Sequence, residues 1–467
     1  MTIPTNYMQQ ALIYETDSTQ LFGRIAHEDW AIFLDSGKPQ GQYGRYDIIV
    51  GRPFITITTQ HGITTVSRGQ EHSHYEQHDP FQILNAVLAE FPRVKTDFPF
   101  SGGAIGYFGY DLGRYLEHMP DIAQDAEDIP EMYLGIYDWA VVVDHRDQKT
   151  VLVSCGYDAT TQANWDALCA LFQSPFNSDH SEFKVTTPVV SNLDEAAYAS
   201  RFQQVKRYIT EGDCYQVNLA QRFSAQAEGD AWKAYSHLRQ ISPAPFMAYM
   251  NFPQVQVLSG SPERFLQIVG RHVETRPIKG TRPRAADISE DKHHADDLSA
   301  SLKDRAENLM IVDLLRNDIS KSCEVGSVRA DRLFALESFA NVHHLVSTVT
   351  GQLAEDKTAV DLLRGCFPGG SITGAPKLRA MEIIEELEPN RRGVYCGAIG
   401  YIGFDGNMDT NIAIRTAIFS NNEIRFWAGG GIVADSEEQK EYRETWDKAS
   451  SMLQLMQYFA TKVVGNT

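Results

Sequence analysis

Gly103-Ala-Ile-Gly-Tyr-Phe-Gly-Tyr-Asp111 returns almost unchanged as Gly397-Ala-Ile-Gly-Tyr-Ile-Gly-Phe-Asp405, the two differing only at Phe108/Ile402 and Tyr110/Phe404. Glycine among apolar and aromatic residues reads as strand, and a strand glycine permits close approach by another backbone. The echo predicts two glycine-rich strands in equivalent places of two related sheets. The fold class is then α+β: a two-sheet sandwich with helices outside and pseudo-duplicated halves. A shared ligand role for the two segments is the alternative.

Around the first copy, residues 1–172 are strand-rich. Ala31-Ile-Phe-Leu34, Asp47-Ile-Ile-Val50, Ile55-Thr-Ile-Thr58 and Trp139-Ala-Val-Val-Val143 are short apolar or β-branched runs bounded by Gly, Pro and Asp. Residues 173–192 are polar and Pro/Ser-bearing and read as a linker, leaving 193–460 as the second region. That region should open with a helix started by Ser191 and Asp194, carrying Tyr198, Phe202, Val205 and Ile209 on one face and stopping at Gly212. Tyr215, Val217 and Leu219 then alternate with polar residues, as in a half-buried strand.

Lys+Arg number 42 against 61 Asp+Glu, a net charge of −19. That balance opposes a nucleic-acid partner or a polybasic membrane anchor, yet leaves room for a small anionic substrate at a local positive site. No apolar run is long enough to span a bilayer, and Met1 to Thr16 has no signal-peptide pattern, nor do the six scattered cysteines form a C-x-x-C. A reduced, cytoplasmic protein is expected.

Two helices should carry acids at matching spacing. One runs from about Asp296 to Arg316, with Asp304 and Glu307 at i, i+3. The other runs from about Glu437 to Met456, with a Ser436/Gln439 capping box and Glu441 and Glu444 at i, i+3. Facing one cavity, they would offer hard oxygen ligands suited to Mg²⁺; spacing alone equally describes two solvated faces. Lys279 lies among Arg276, Arg282 and Arg284, and cations with apolar walls would depress its pKa and favour the neutral, nucleophilic amine, a solvated basic loop being the other reading. Gly429-Gly-Gly431 is either a tight turn or a row of bare N–H donors for a carboxylate. Gly369 to Lys377 is a glycine-rich turn entering a helix from Leu378 to Leu387. Of His343 and His344, at most one can face a site on a strand.

Taken in order, Ser261-Pro-Glu-Arg-Phe265, Thr275-Arg-Pro-Ile-Lys-Gly-Thr281, Glu307-Asn-Leu-Met-Ile-Val-Asp-Leu-Leu-Arg-Asn-Asp318, Gly370-Ser-Ile-Thr-Gly-Ala-Pro-Lys377, Asp409-Thr-Asn-Ile-Ala-Ile-Arg415 and Ala428-Gly-Gly-Gly-Ile-Val-Ala-Asp-Ser436 resemble the chorismate-utilising enzymes. The resemblance covers nearly the whole chain and implies the fold of anthranilate synthase component I. Lysine stands at position 279 where anthranilate-forming members carry alanine, which implies amination of chorismate at C4 on the way to 4-aminobenzoate and folate. Anthranilate or isochorismate formation is the alternative, and a catalytically dead amino-acid-binding regulator a more distant one.

By resemblance, Lys279 is a covalent nucleophile at C2, Glu263 the acid/base for the leaving hydroxyl, and His344 a histidine near the reacting edge. Glu307 and Glu444 match direct Mg²⁺ ligands, with Asp304 and Glu441 supporting. Tyr395 and Arg415 match groups holding the pyruvyl carboxylate. Gly429, Gly430 and Gly431 match N–H donors, Gly280 and Thr281 line the ring, and Ser371 lies beside the amination site. Ser36, Tyr43, Gly44, Arg45, Tyr46, Pro245, Phe246 and Met247 resemble a tryptophan pocket. Cys396 lacks the glycine-bounded turn and the downstream His-x-Glu of a glutaminase, so a separate glutamine amidotransferase subunit is implied as the ammonia source.

Overall fold

The computed structural model describes residues 6–37, 44–176, 182–285, 287–338 and 342–460. The strands expected in the first region form at Ala31–Asp35, Tyr46–Val50, Ile55–Gln60 and Trp139–Asp144. Their apolar residues are buried on both faces, because one face meets the second sheet and the other meets helices. Between the sheets lie Ile32, Val50, Met250, Ile105, Tyr107, Leu134, Leu266 and Ile399. Outside the first sheet, Phe22, Trp232, Leu238, Met452 and Leu455 cover Phe33 and Tyr249.

The duplication is complete in topology. In the first half, Ala31–Asp35 and Tyr46–Val50 belong to one sheet, Ile55–Gln60, Ile63–Arg68, Gly103–Phe108 and Met132–Tyr137 to the other, and Trp139–Asp144 and Lys149–Ser154 return to the first. The second half repeats the order with Phe246–Asn251, Gln256–Ser261, then Arg264–Val269, His272–Thr275, Ala398–Gly403, Met408–Ile412, and finally Thr416–Ser420 and Glu423–Ile432. Where the first half has only strand Glu71–Glu76 and helix Pro80–Ala89, the second inserts a helix-rich block from Ile278 to Leu387.

The echoed strands are placed differently from the sequence expectation. They are antiparallel neighbours in one sheet rather than counterparts in two, with Gly103 opposite Gly403 and Gly106 opposite Gly400. Gly106 and Gly400 are also equivalent positions of the echo, so a local twofold axis passes between them. A Cβ on Gly106 would fall on the carbonyl oxygen of Tyr133, and one on Gly400 on that of Asp409. Each glycine is required by the strand on its outer side. In the other sheet the halves join where Ala31–Asp35 pairs with Phe246–Asn251.

The segment read as a linker contributes strands Phe183–Val185 and Val190–Ser191, both paired with Gln216–Gly229. Helix Glu195–Glu211 is capped by Asp194 alone and ends at Gly212, whose φ of +86° suits glycine. Ser191 is instead in strand, its hydroxyl bonded to Gln221 Oε1. The long acidic helix is two: Ile288–Ala300 holds Asp296, and Leu302–Ser320, capped by Ser301, holds Asp304 and Glu307. The last helix is Glu438–Phe459, and the Ser436/Gln439 box does not form. Ser436 Oγ donates to Glu441 Oε1 at 2.6 Å instead. Among the described residues no helix is long and apolar enough to cross a membrane.

The dyad contact can be tested with two glycines. Gly400→Ala should cost about 1–3 kcal/mol or more by overpacking against Asp409. Gly365→Ala, inside helix Ala359–Cys366 with ordinary space around its Cβ, should be neutral or stabilise by about 0.5 kcal/mol. Urea unfolding of both variants gives the comparison, and equal stabilities would contradict the steric account.

Candidate active site

Lys279 is on strand Ile278–Pro283, paired with Val342–Gln352. The register slips between Lys279 and Thr281, leaving Gly280 as a bulge with φ +78°. Bulges re-aim neighbouring side chains, and the conformation favours glycine. A Cβ on Gly280 would also stand 2.8 Å from Leu298 Cδ1 and 2.9 Å from Asp304 Cγ. After the bulge, Thr281 is opposite His344, and its hydroxyl lies 2.9 Å from His344 Nδ1. His343 points the other way, to Ser338 and Asp291.

Lys279 Nζ donates to the Ser371 carbonyl at 3.3 Å, and Ser371 Oγ donates to Glu263 Oε1 at 2.9 Å. One residue therefore touches both the amine and the acid. Burial lowers the Lys279 pKa, and nearby Glu307 opposes it. Lys448 is the cation that adds to the depression. The three arginines named from sequence are engaged elsewhere: Arg276 with Glu337, Arg282 with Asp297 and Asp304, Arg284 with Asp291. Glu263, 7% exposed, is raised by burial, opposed by Lys279 and the Ser371 hydrogen bond. A buried carboxyl of this kind holds its proton at higher pH than a surface glutamate.

Arg415 is half-buried and left-handed, with φ +49°. Burial lowers its pKa, and the carboxyl of Glu263 is the acid that opposes this. Tyr395 stacks on Trp427 at 6.1 Å between ring centroids. The triple glycine is strand rather than turn: Gly429, Gly430 and Gly431 pair with Ala220, Leu219 and Asn218. On its other edge the strand's pairing with Thr416–Ser420 ends at Phe426. Beyond that point this edge is free of the neighbouring strand, and the Gly429 carbonyl accepts from Lys448 Nζ at 3.0 Å.

A Cβ on Gly430 would lie 3.3 Å from both Glu441 Oε2 and Glu444 Oε1, so these carboxylates converge over the bare backbone. Glu307 is raised by burial and also by Asp304 and Glu441. Glu441 is raised by burial and by Glu444. Glu441 is buried, Glu307 half-buried and Glu444 exposed; burial raises Glu444, but Lys448 outweighs this and leaves it lowered, so the acids are partly neutralised already, and their all-oxygen donors are of the type that suits Mg²⁺. Lys303 and Lys448 supply part of the compensation, with Lys448 Nζ 2.6 Å from Glu444 Oε1. Asp304 leans toward Gly280 and Arg282. Among the described residues no group of three or more His, Cys, Asp or Glu side chains stands close enough together to hold a metal ion as placed.

Several site residues went unread in the sequence. Lys448 was findable as the i+4 partner of Glu444. Gln216 and Asn218 occupy the strand face opposite Val217 and Leu219; they are 1% and 6% exposed, and Oε1 of one and Oδ1 of the other have no hydrogen-bond partner among the described residues. Asp318, buried at the end of its motif, pairs with Lys377 at 2.6 Å and ties the Ser371 segment to helix Leu302–Ser320. Asn308 bonds Ser347 and the Leu345 carbonyl, locking that helix, and hence Glu307, to strand Val342–Gln352.

A separate cavity of about 820 Å³ lies away from these groups, lined by Ser36, Arg45, Tyr46, Pro245, Phe246 and Met247 among others. Gly44 is not part of its lining, and Tyr43 lies outside the described residues. Ser36 is fixed from beneath, its N–H and Oγ both donating to Asp47 Oδ1.

This site and fold define an enzyme of the chorismate-binding family, to which the chain belongs: the family described as chorismate binding enzyme matches residues 30–454. The chain is 48% identical over 450 residues to aminodeoxychorismate synthase component 1 of Escherichia coli (strain K12), covering 96% of this chain and 98% of that protein. It is 37% identical to the Bacillus subtilis (strain 168) protein of that name, over 88% of each chain. Anthranilate synthase component I from Streptococcus pneumoniae TIGR4 superposes with a TM-score of 0.77 at 33% identity, covering 89% of this chain and 93% of that one.

His344 gives a pH prediction. Burial, with Arg415 adding, pushes its imidazole down to about 4. The unfolded chain takes up this proton near pH ~6.5, whereas the folded protein refuses it until about 4. Stability from the neutral buried ring is complete above pH ~6.5 and falls as pH drops across that window. Between pH 7 and pH 5 it should lose about 2 kcal/mol. His344→Gln cannot take up the proton, so its denaturant midpoint should fall less over that interval; identical losses would reject the assignment.

Proposed function

We propose that this chain aminates chorismate at C4 with ammonia, giving 4-amino-4-deoxychorismate through a covalent adduct at Lys279. The observation that supports this reading is the Lys279–Ser371–Glu263 arrangement: a buried amine pushed toward its neutral form, joined through one residue to a buried carboxyl pushed toward its protonated form. Those are the directions needed for nucleophilic attack by the amine and for protonation of the substrate's leaving hydroxyl by the carboxyl.

In the first step Lys279 Nζ bonds to C2, both ring double bonds shift by one position around the C1–C6–C5 side, and the C4–O bond breaks. The Glu263 proton passes to the departing hydroxyl, which leaves as water. In the second step ammonia bonds to C4, both double bonds shift back, and the C2–N bond breaks to return a neutral lysine. The new ammonium gives a proton to the Glu263 carboxylate, which closes the cycle. Arg415 and the N–H groups of the glycine strand hold substrate carboxylate, while neutral His344 and Thr281 border the ring. Glu307, Glu441 and Glu444 would hold Mg²⁺, with Asp304 supporting; when bound it neutralises the ring carboxylate.

The ammonia is assigned to a partner glutaminase. The relatives' name, component 1, is in keeping with that. A glutaminase needs a reactive thiolate, and burial pushes the thiols of Cys155 and Cys396 up to about 12 and that of Cys323 to about 11. The six unpaired cysteines suit a reducing cytoplasm. The second cavity is assigned to tryptophan: Phe246, Met247 and Tyr46 offer apolar walls, and Asp35, Ser36 and Asp409 offer acceptors for an ammonium group.

The purified chain with chorismate, Mg²⁺ and ammonium chloride should form the C4-aminated product, and glutamine should not replace ammonium. Without ammonia, quenching and peptide mapping should find the adduct on Lys279. Lys279→Ala should remove the adduct and slow C4 amination by about 100-fold or more. An adduct on another lysine, or full amination by the alanine variant, would overturn the nucleophile role. Glu307→Gln and Glu444→Gln should each weaken Mg²⁺ binding measured by calorimetry, and unchanged affinity would remove them from the metal site.

A further inference from the structure

Arg392 is 1% exposed and follows helix Lys377–Leu387. Its guanidinium forks onto Glu388, Nε to Oε2 at 2.9 Å and Nη2 to Oε1 at 2.7 Å. Two further N–H groups go to backbone: Nη1 to the Ile372 carbonyl and Nη2 to the Asn218 carbonyl, both at 2.9 Å. Glu388 Oε1 also accepts from Ala220 N at 2.8 Å. The ring of Tyr110 lies 4.8 Å from the guanidinium carbon and that of Tyr395 5.7 Å. A single buried ion pair thus binds strand Gln216–Gly229 at two points, the Ser371 segment and a site tyrosine.

A buried ion pair contributes little net stability, because desolvation offsets its attraction. What this one provides is placement. Ile372 directly follows Ser371, whose hydroxyl holds Glu263 and whose carbonyl holds Lys279. The other end of the segment is tied by Lys377 to Asp318 and to the Cys366 carbonyl. Arginine's donors, spread over three nitrogens in a plane, serve both carboxylate oxygens and two carbonyls at once; a lysine has three donors on one nitrogen and cannot span all four acceptors.

We propose that Arg392, oriented by Glu388, is a positioning residue that sets the Ser371 segment and, through it, the acid Glu263 and the nucleophile Lys279. This rests on the amination reading above. Arg392 touches no substrate. Losing its bond to Ile372 frees the turn that follows Ser371, so the Ser371–Glu263 hydrogen bond loosens, while Arg415, to which Arg392 makes no hydrogen bond, stays in place. Because that bond favours the ionised form of Glu263, its loss raises the acid's pKa, and the alkaline limb of kcat moves to higher pH.

The test compares Arg392→Lys, Glu388→Gln, Ser371→Ala and the Ser371→Ala/Arg392→Lys double variant. Arg392→Lys should melt within a few degrees of wild type, keep chorismate KM within about threefold and lose about 100-fold in kcat. Its alkaline limb should shift upward as in Ser371→Ala, and the double variant should be no slower than the worse single one. Glu388→Gln, which keeps an acceptor for Arg392, should lie between wild type and Arg392→Lys and serves if the latter does not fold. Hydrogen exchange of amides 370–373 should rise in both, a readout independent of turnover. An unmoved pH limb with multiplicative losses, or unchanged exchange at 370–373, would overturn the positioning role. Absence of C4 product from wild type would instead reject the functional reading, leaving the exchange data to decide on Arg392.

Discussion

The structure depends on the backbone contact between Gly106 and Gly400, where the two halves meet on their local twofold axis. Neither strand can carry a side chain at that point, because each is pressed from outside by a neighbouring carbonyl. The contact makes one continuous sheet from two repeats, and the pairing of Ala31–Asp35 with Phe246–Asn251 does the same for the other sheet. The halves therefore cannot separate as independent domains without breaking both sheets. One copy keeps the plain sandwich; the other carries the inserted block from Ile278 to Leu387 and with it Lys279, His344, Asp304 and Glu307.

Within that block the chemistry is set by burial more than by individual charges. Desolvation drives Lys279 toward the neutral amine, Glu263 toward the protonated acid and His344 toward the neutral ring. For Lys279 and Glu263 burial pushes against the charged form each residue favours in water near neutral pH, whereas for His344 it reinforces the neutral ring that already predominates there. Glu307 and Glu441 follow the same rule, raised chiefly by burial and further by neighbouring acids, while for Glu444 the effect of burial is outweighed by Lys448, which holds it below the usual carboxylate range. The frame resists these costs through interactions far from solvent, among them the Arg392–Glu388 fork and the Lys377–Asp318 pair.

The strands at Ala31–Asp35, Tyr46–Val50, Ile55–Gln60 and Trp139–Asp144 were legible because their apolar runs are short and sharply bounded, whereas others of the first region, such as the polar Glu71–Glu76, were not. Helix Glu195–Glu211 was legible because its apolar residues keep helical spacing up to a glycine. The split at Ser301 was not, since Asp296 to Arg316 has helical acids throughout and only the cap at Ser301 divides it. The Ser436/Gln439 box misled because Ser436 is drawn to Glu441, five residues on, once the glycine strand brings that acid close. Likewise Arg276, Arg282 and Arg284 are near Lys279 in sequence but pair with acids on other elements.

The sequence by itself determined that the chain is an α+β, duplicated fold and nominated candidate site residues through its resemblance to a family, because motif spacing and residue type survive without coordinates. Tertiary structure alone decided what those residues are physically. Glu263 and Lys279 are 16 positions apart and Ser371 nearly a hundred further on, and no local pattern brings them together. The same holds for Lys448 against Gly429, and for Arg392 reaching both Asn218 and Ile372. Protonation state, hydrogen-bond partner and cation neighbour depend on distance and dielectric, and those exist only once the two halves have closed on each other.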